Sequence, residues 1–301
     1  MEELKKIWID GDFVNWQDAK IHILNHALHY GSAVFEGIRS YQTKKGAAVF
    51  RLQEHIERLF YSASSLELKI SFSVGDIKQA ILELIKINEV NECYIRPIVF
   101  LSYGKMGLNP KGAPAQAAIA NWPWGAYLGG DAPIKVKISK YIRPHPRSTV
   151  VGAKIAGSYF NSVLSSLDAQ QSGADEALLL DFEGFVAEGP GENFFMVKES
   201  KLYTPGKGTI LAGITRDSVI KIAGNLGIET EEKKITPEEL KSADEAFFTG
   251  TAAEICPIGE IDEITINNRE VGKITKQIKM AFEEIVRGKN QKFSEWLTPV
   301  D

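Results

Sequence analysis

Two cysteines in 301 residues, Cys93 and Cys256, are too few for a disulfide scaffold, and neither belongs to a C-x-x-C pair. They give no zinc–thiolate signal, and a reducing compartment suits the chain. No apolar run approaches the roughly 20 residues that a membrane-crossing helix needs. The opening stretch, MEELKKIWIDGDF, lacks the apolar core of a secretion signal, so the expected location is cytoplasmic. A basic excess is missing too: the formal net charge of −4 argues against a dedicated nucleic-acid binder. Repeats and low-complexity tracts are also lacking. Two glycine-rich stretches fail as phosphate loops. TPGKGT at 204–209 lacks the G-x-x-x-x-G-K-[ST] spacing, and GPGENF at 189–194 has no helical continuation.

What remains is an ordinary globular composition, 44% hydrophobic and 25% charged, long enough to build its core without staples. KKIWIDGDFVNW alternates apolar and polar residues around Asp10-Gly11, which predicts a β-hairpin. Helical spacing marks residues 51–68, 74–88, 158–171, 215–226 and 274–287, with Gly227 placed to end the fourth. CYIRPIVFLSYG, AQAAIANWPW and IKVKISKYI read as strands, EALLLDFEGFVAEGPGENFFMVKESKLYTP as three more, and EAFFTGTAAEICPIGEI as one. Strands and helices mix without strict βαβ alternation, so the fold class is α+β. The Gly/Pro-rich GAYLGGDAP separates a small N-terminal α+β domain, 1–124, from a larger one, 134–301, with 125–133 as linker.

Chemistry is suggested at five places. His22, His26 and His29 fall at i, i+4 and i+7, where a helix would gather them as a zinc site does, but no H-E-x-x-H glutamate accompanies them. Packing or hydrogen-bonding roles compete with that reading and are favoured. Lys154, in VVGAKIAGSYFNS, is a single cation among small and apolar neighbours. It is either a surface lysine with its stem across an apolar patch or a lysine kept ready to lose its proton and act as a nucleophile. AGITRDS opens a helix, and Ile214 and Thr215 can offer backbone N–H groups and a hydroxyl to an anion; TGTAAE does the same near Thr251 and Ala252. Arg58 lies beside the apolar stripe of its helix. Taken singly these are caps and turns, but with Lys154 they supply what a phosphorylated aldehyde cofactor needs. Such a cofactor also wants a carboxylate to keep its ring nitrogen protonated.

Eight stretches in order, HALHYGSAVFEGIRSY, FRLQEHIERL, YIRPIVF, PWGAYLG, AKIAGSYFNS, VAEGPGENFF, LAGITRDS and GTAAEI, resemble the pyridoxal-phosphate aminotransferases of fold type IV. The branched-chain amino acid aminotransferases are the nearest group, and the resemblance runs from about Ile7 to Arg287. It implies two α/β domains with pyridoxal 5'-phosphate at their interface, and a C-terminal domain that carries the lysine. By the motifs, Lys154 holds the cofactor as an imine and shuttles the proton, and Tyr159 bonds the phenolic oxygen. Glu188 pairs with the ring nitrogen, while Arg58, Ile214, Thr215 and Thr251 bind the phosphate. Phe35, Met106, Leu108, Trp124 and Tyr127 form the side-chain pocket, and Tyr30, Tyr94, Arg96, Thr251 and Ala252 receive carboxylates. The activity implied is ping-pong transamination between leucine, isoleucine or valine and 2-oxoglutarate. The partners implied are these amino and 2-oxo acids and further copies of the chain, as dimer or hexamer, with neither nucleic acid, membrane nor metal. D-amino acid aminotransferase or aminodeoxychorismate lyase remains the alternative within the fold, and a non-catalytic cofactor-binding protein the alternative outside enzymes.

Overall fold

Asp10 and Gly11 both take positive φ, 47° and 105°, which is the geometry a two-residue hairpin turn requires. They join β1 (Lys6–Ile9) to β2 (Asp12–Asn15), as the alternating pattern predicts. This computed structural model describes residues 2–125, 128, 130 and 132–300. Two compact units emerge. The first contains residues 1–125, 153–157 and 285–301.

After the hairpin come α1 (His26–Tyr30), β3 (Ala33–Phe35), β4 (Ile38–Thr43) and β5 (Gly46–Phe50). Helices α2 (Leu52–Ser65) and α3 (Val74–Asn88) lead to β6 (Cys93–Leu101) and β7 (Ala115–Trp122). The strands form one antiparallel sheet in the order C-terminal strand Leu297–Pro299, β5, β4, β6, β7, β1, β2, with β3 on β6. Helix α2 buries Leu52, Ile56, Leu59 and Ala63 at helical spacing, and α3 adds Ile77, Ile81, Leu84 and Ile85. Ser73 and Asp76 close a capping box at the start of α3.

The second unit holds β8 (Ile134–Ile138), α4 (Tyr159–Gln171), β9 (Glu176–Leu180), β10 (Val186–Glu188) and β11 (Asn193–Lys198). It continues with β12 (Lys201–Thr204), α5 (Ile214–Asn225), β13 (Thr230–Glu232), β14 (Glu245–Gly250), β15 (Glu254–Ile261), β16 (Ile264–Thr265) and most of α6 (Lys273–Val286). Its sheet runs β10, β9, β8, β15, β14, β11, β12, β13, and a further β10–β11 pairing closes six strands on themselves. Such closure covers the free edge of β10. The inside is packed with Phe194, Phe248, Met196, Val136 and Ile258.

Three expectations change. The segment 176–205 carries four strands rather than three, because Gly184 and the turn at 189–192 each reverse the chain. EAFFTGTAAEICPIGEI is a hairpin rather than one strand, turning at Thr251–Ala253 so that Gly250 pairs with Glu254. Residues 153–157, Lys154 among them, and 285–301 belong to the first unit and not to a C-terminal domain. Backbone pairing is the reason: Ile155 bridges Val34, and Leu297–Pro299 pairs with β5. No helix among the described residues is long and apolar enough to cross a membrane.

Candidate active site

Lys154 is fastened to the first unit on both sides. Its carbonyl accepts from Phe35 N at 3.1 Å, and its N–H donates to the buried Ser62 Oγ at 2.9 Å. Three residues on, Gly157 N donates to Gly31 O at 3.0 Å. A Cβ on Gly31 would sit 2.6 Å from Gly157 Cα, and Gly31 has φ +65°, so both contact and conformation demand glycine there. The short extended run around Lys154 is thus an added edge on β3, and its Nζ lies 4.7 Å from the centre of the Phe35 ring.

Phe35 also carries Arg96, whose guanidinium stands 4.7 Å from the ring centre, 5.3 Å from Tyr94 and 5.9 Å from Trp122. Arg96 Nη2 donates to Tyr94 Oη at 3.3 Å, while its buried Nε has no hydrogen-bond partner among the described residues. A guanidinium lodged in an aromatic cage with a donor unspent suits a carboxylate. Tyr94 is itself clamped by Trp122 and Trp124, at 5.3 and 4.5 Å between ring centres, and Arg39 Nη2 donates to Trp124 O. The FEG turn makes the room: a Cβ on Gly37 would fall 1.9 Å from Tyr94 Oη and 2.8 Å from Cζ. Gly37→Ala must therefore displace a buried tyrosine. The expected cost is about 1–3 kcal/mol of stability. We also expect a raised KM for leucine, read by steady-state kinetics beside a thermal melt.

Arg58 leaves α2 toward Glu36. Its Nε and Nη2 donate to the two carboxylate oxygens at 2.6 and 2.9 Å, and Glu36 Oε2 also accepts from His55 Nδ1 at 2.8 Å. Burial works to raise the Glu36 carboxyl. The Arg58 charge and the His55 and Arg58 hydrogen bonds outweigh it and hold the group well below the usual carboxylate range. Burial lowers His55 against the opposing pull of Glu36. The carboxylate is thus ionised and the imidazole neutral, so Nδ1 carries the proton it donates. In the unfolded chain these groups protonate near their ordinary values of 6.5 and 4.5, and in the folded chain only at lower pH. The unfolded state binds more protons on acidification, so stability falls below about pH 6.5 and falls again below about 4.5. Urea midpoints measured across that range should show both losses, and His55→Gln should remove the first.

Three further predicted residues of this unit stand exposed. Tyr30 is exposed on α1, with its ring against His26. Met106 and Leu108 sit exposed on the loop 102–114. The three histidines do not gather. His22 lies outside α1 with its ring on Tyr103, His26 bonds Ser32 Oγ and Gly107 O, and His29 bonds Ile23 O. Among the described residues no three His, Cys, Asp or Glu side chains group to hold a metal.

In the second unit Glu188 occupies the closing seam of the strand ring, paired with Asn193, and a bulge precedes it. Such irregularities re-aim side chains. Its carboxylate is buried and meets Arg143 Nη2 at 2.9 Å, Asn193 Nδ2 at 2.9 Å and Leu211 N at 3.1 Å. Register then carries neighbours to the same end of the sheet: Asn193 pairs with Thr249, two residues before Thr251 and the 251–253 turn holding Ala252. Asn193 also donates to Leu211 O, just before α5. The N-cap of α5 is Gly213, where a Cβ would fall 1.9 Å from Asn193 Oδ1, and no side chain caps the helix. The first N–H groups, those of Ile214 and the buried Thr215, therefore remain for an anion. Tyr159 opens α4, half-buried. Tyr127 lies outside the described residues.

Each unit carries part of the donor set that suits a phosphorylated pyridine cofactor. The first holds a fastened lysine and a bidentately anchored arginine, and the second a buried carboxylate and an uncapped helix start. Residue patterns had not singled out Ser62, Trp122, Arg143 or Asn193; Arg143 and Asn193 stood in view beside RPHPR and GPGEN, without a signal to mark their roles.

Comparison with known proteins agrees. The sequence pattern described as Amino-transferase class IV matches residues 33–261. A branched-chain-amino-acid aminotransferase of Pseudomonas aeruginosa is 44% identical over 297 residues, covering 98% of this chain and 97% of its own. The crystal structure of an Escherichia coli branched-chain amino acid aminotransferase superposes with TM-score 0.96 at 41% identity, over 99% of this chain and all of its own. A branched-chain aminotransferase of the thermophilic archaeon Thermoproteus uzoniensis, crystallised with norvaline, gives 0.95 at 42% identity over 99% of this chain and all of its own.

Proposed function

The chain belongs to the class IV aminotransferases, and from that premise we propose how its own residues carry the transfer of an amino group between branched-chain L-amino acids and 2-oxoglutarate. The cofactor is pyridoxal 5'-phosphate. When bound, it supplies an aldehyde carbon that carries the amino group and a ring that delocalises the electron pair left at the substrate Cα.

Lys154 anchors the cofactor at rest and then takes the Cα proton and returns it, as base and acid in turn. Glu188, braced by Arg143, Asn193 and Leu211 N, keeps the ring nitrogen protonated. Tyr159 donates to the phenolic oxygen. Arg58, the N–H groups of Ile214 and Thr215, and Thr251 hold the phosphate. The Thr251–Ala252 turn, Tyr30 and Tyr94 take substrate carboxylates. Met106, Leu108, Trp124, Phe35 and Tyr127 bound the side chain.

The observation that carries the substrate choice is Arg96 in its aromatic cage. Apolar rings accept a leucine side chain, and the guanidinium accepts the γ-carboxylate of glutamate at the same place. One pocket thus serves both half-reactions. Purified chain given cofactor, L-leucine and 2-oxoglutarate should form L-glutamate with the branched 2-oxo acid. Activity on D-alanine without activity on leucine would overturn the reading in favour of a D-amino acid enzyme.

Self-association and location complete the proposal. Phe160, Val163 and Leu167 make an exposed apolar stripe along α4, and Ile21, Ile23, Leu24 and Leu28 expose another around α1. Stripes of this kind are covered by other protein surface, and we assign them to contacts between copies, as dimer or hexamer. Cys93 and Cys256 are free and buried, in keeping with a cytoplasmic enzyme.

A further inference from the structure

Behind Arg58 lies a carboxylate with no part in the chemistry above. Glu36 is fully buried between β3 and β4, yet it is ionised. Every contact it makes fixes something. Its Oε1 accepts from Arg58 Nε, and its Oε2 from Arg58 Nη2, His55 Nδ1 and, at 3.3 Å, its neighbour Gly37 N. Its own N–H donates to Pro97 O at 2.9 Å, which ties the turn to β6. His55 and Arg58 are three residues apart on α2, so one helix turn delivers both to the same carboxylate.

We propose that Glu36, steadied by His55, is a positioning residue for cofactor binding: it locks the Arg58 guanidinium in one orientation for the cofactor's phosphate. The proposal rests on the reading of Arg58 as a phosphate ligand. Stability alone explains the arrangement poorly. Burying an ion pair usually gains nothing over well-packed apolar groups of the same volume. A two-point grip on Nε and Nη2 does restrain the guanidinium's rotation, which a single bond to a point charge would not. An arginine already immobilised loses little further freedom on meeting the phosphate.

The full-length chain, freed of cofactor, is titrated with pyridoxal 5'-phosphate and with pyridoxal, which lacks the phosphate, and the ratio of the two affinities is compared among variants. Arg58→Met should lower the ratio. Glu36→Gln should lower it by about tenfold through weaker phosphate binding. Its affinity for pyridoxal should stay within about twofold of the parent, since that ligand offers Arg58 nothing to hold. Glu36→Gln added to Arg58→Met should change the ratio no further, because both act through one contact. Glu36→Asp keeps the charge but withdraws it by one methylene, and should fall between parent and Glu36→Gln. Equal losses for both ligands, additive effects in the double variant, or failure of both Glu36 variants to fold would overturn the proposal in favour of a purely structural role. An unchanged ratio in Arg58→Met would instead remove Arg58 as a phosphate ligand and the proposal with it.

Discussion

Lys154→Ala should lower turnover by at least about 10³-fold, the scale on which a placed acid–base group and nucleophile contribute together. The parent treated with borohydride should carry the cofactor covalently on the peptide spanning Lys154, whereas the variant should carry none. Stability should barely change. The residue's backbone bonds to Phe35 N and Ser62 Oγ survive truncation of the side chain. That separation makes the test sharp. A variant that melts like the parent but neither turns over nor fixes the cofactor has lost chemistry alone. Retained turnover within tenfold, or a borohydride label on another lysine, would remove Lys154 from the centre of the mechanism.

The same lysine illustrates how far the sequence could be read. A cation between valines, glycines and an alanine was legible as unusual, and the eight ordered stretches made its role an expectation. Its fastening was not. Ser62 looks in the sequence like one more small residue on a helix, and nothing local says that its hydroxyl waits for a backbone N–H 92 residues away. Long-range pairing likewise hid the unit to which residues 153–157 belong, because a single bridge from Ile155 to Val34 leaves no periodic trace. Helices were the easier part. The predicted 74–88 agrees with the observed Val74–Asn88, since apolar spacing and a capping box both act within one segment. The hairpin turn at Thr251–Ala253 was missed for the opposite reason: both flanks are apolar strands buried in one sheet, and the turn lacks the Asn-Gly or Asp-Gly signature. Met106 and Leu108 show a further limit, for the resemblance names them as pocket residues while nothing local marks their exposed setting.

Glu188→Gln should cost the second largest loss, through the network that surrounds the carboxylate rather than through the carboxylate alone. Arg143 and Glu188 have side chains 11% and 5% exposed, so their pair is buried, and removing one charge leaves the other without its counter-ion. Breaking such a pair costs about 3–5 kcal/mol. A glutamine would still accept from Leu211 N through one atom, but its amide would set two donors against those of Arg143 and Asn193. Without a carboxylate beside the ring nitrogen, turnover should fall on the order of 10²- to 10³-fold, the usual loss when one electrostatic stabiliser is withdrawn. Arg143→Met separates the two effects. It should destabilise the chain on a similar scale but, with Glu188 still held by Asn193 and Leu211, should spare most of the turnover. Chemical denaturation and single-turnover kinetics on both variants provide the comparison. If Arg143→Met lost as much turnover as Glu188→Gln, the arginine rather than the carboxylate would govern the ring. If Glu188→Gln kept turnover within about threefold while losing stability, the carboxylate's place would be structural, at the seam where β10 meets β11.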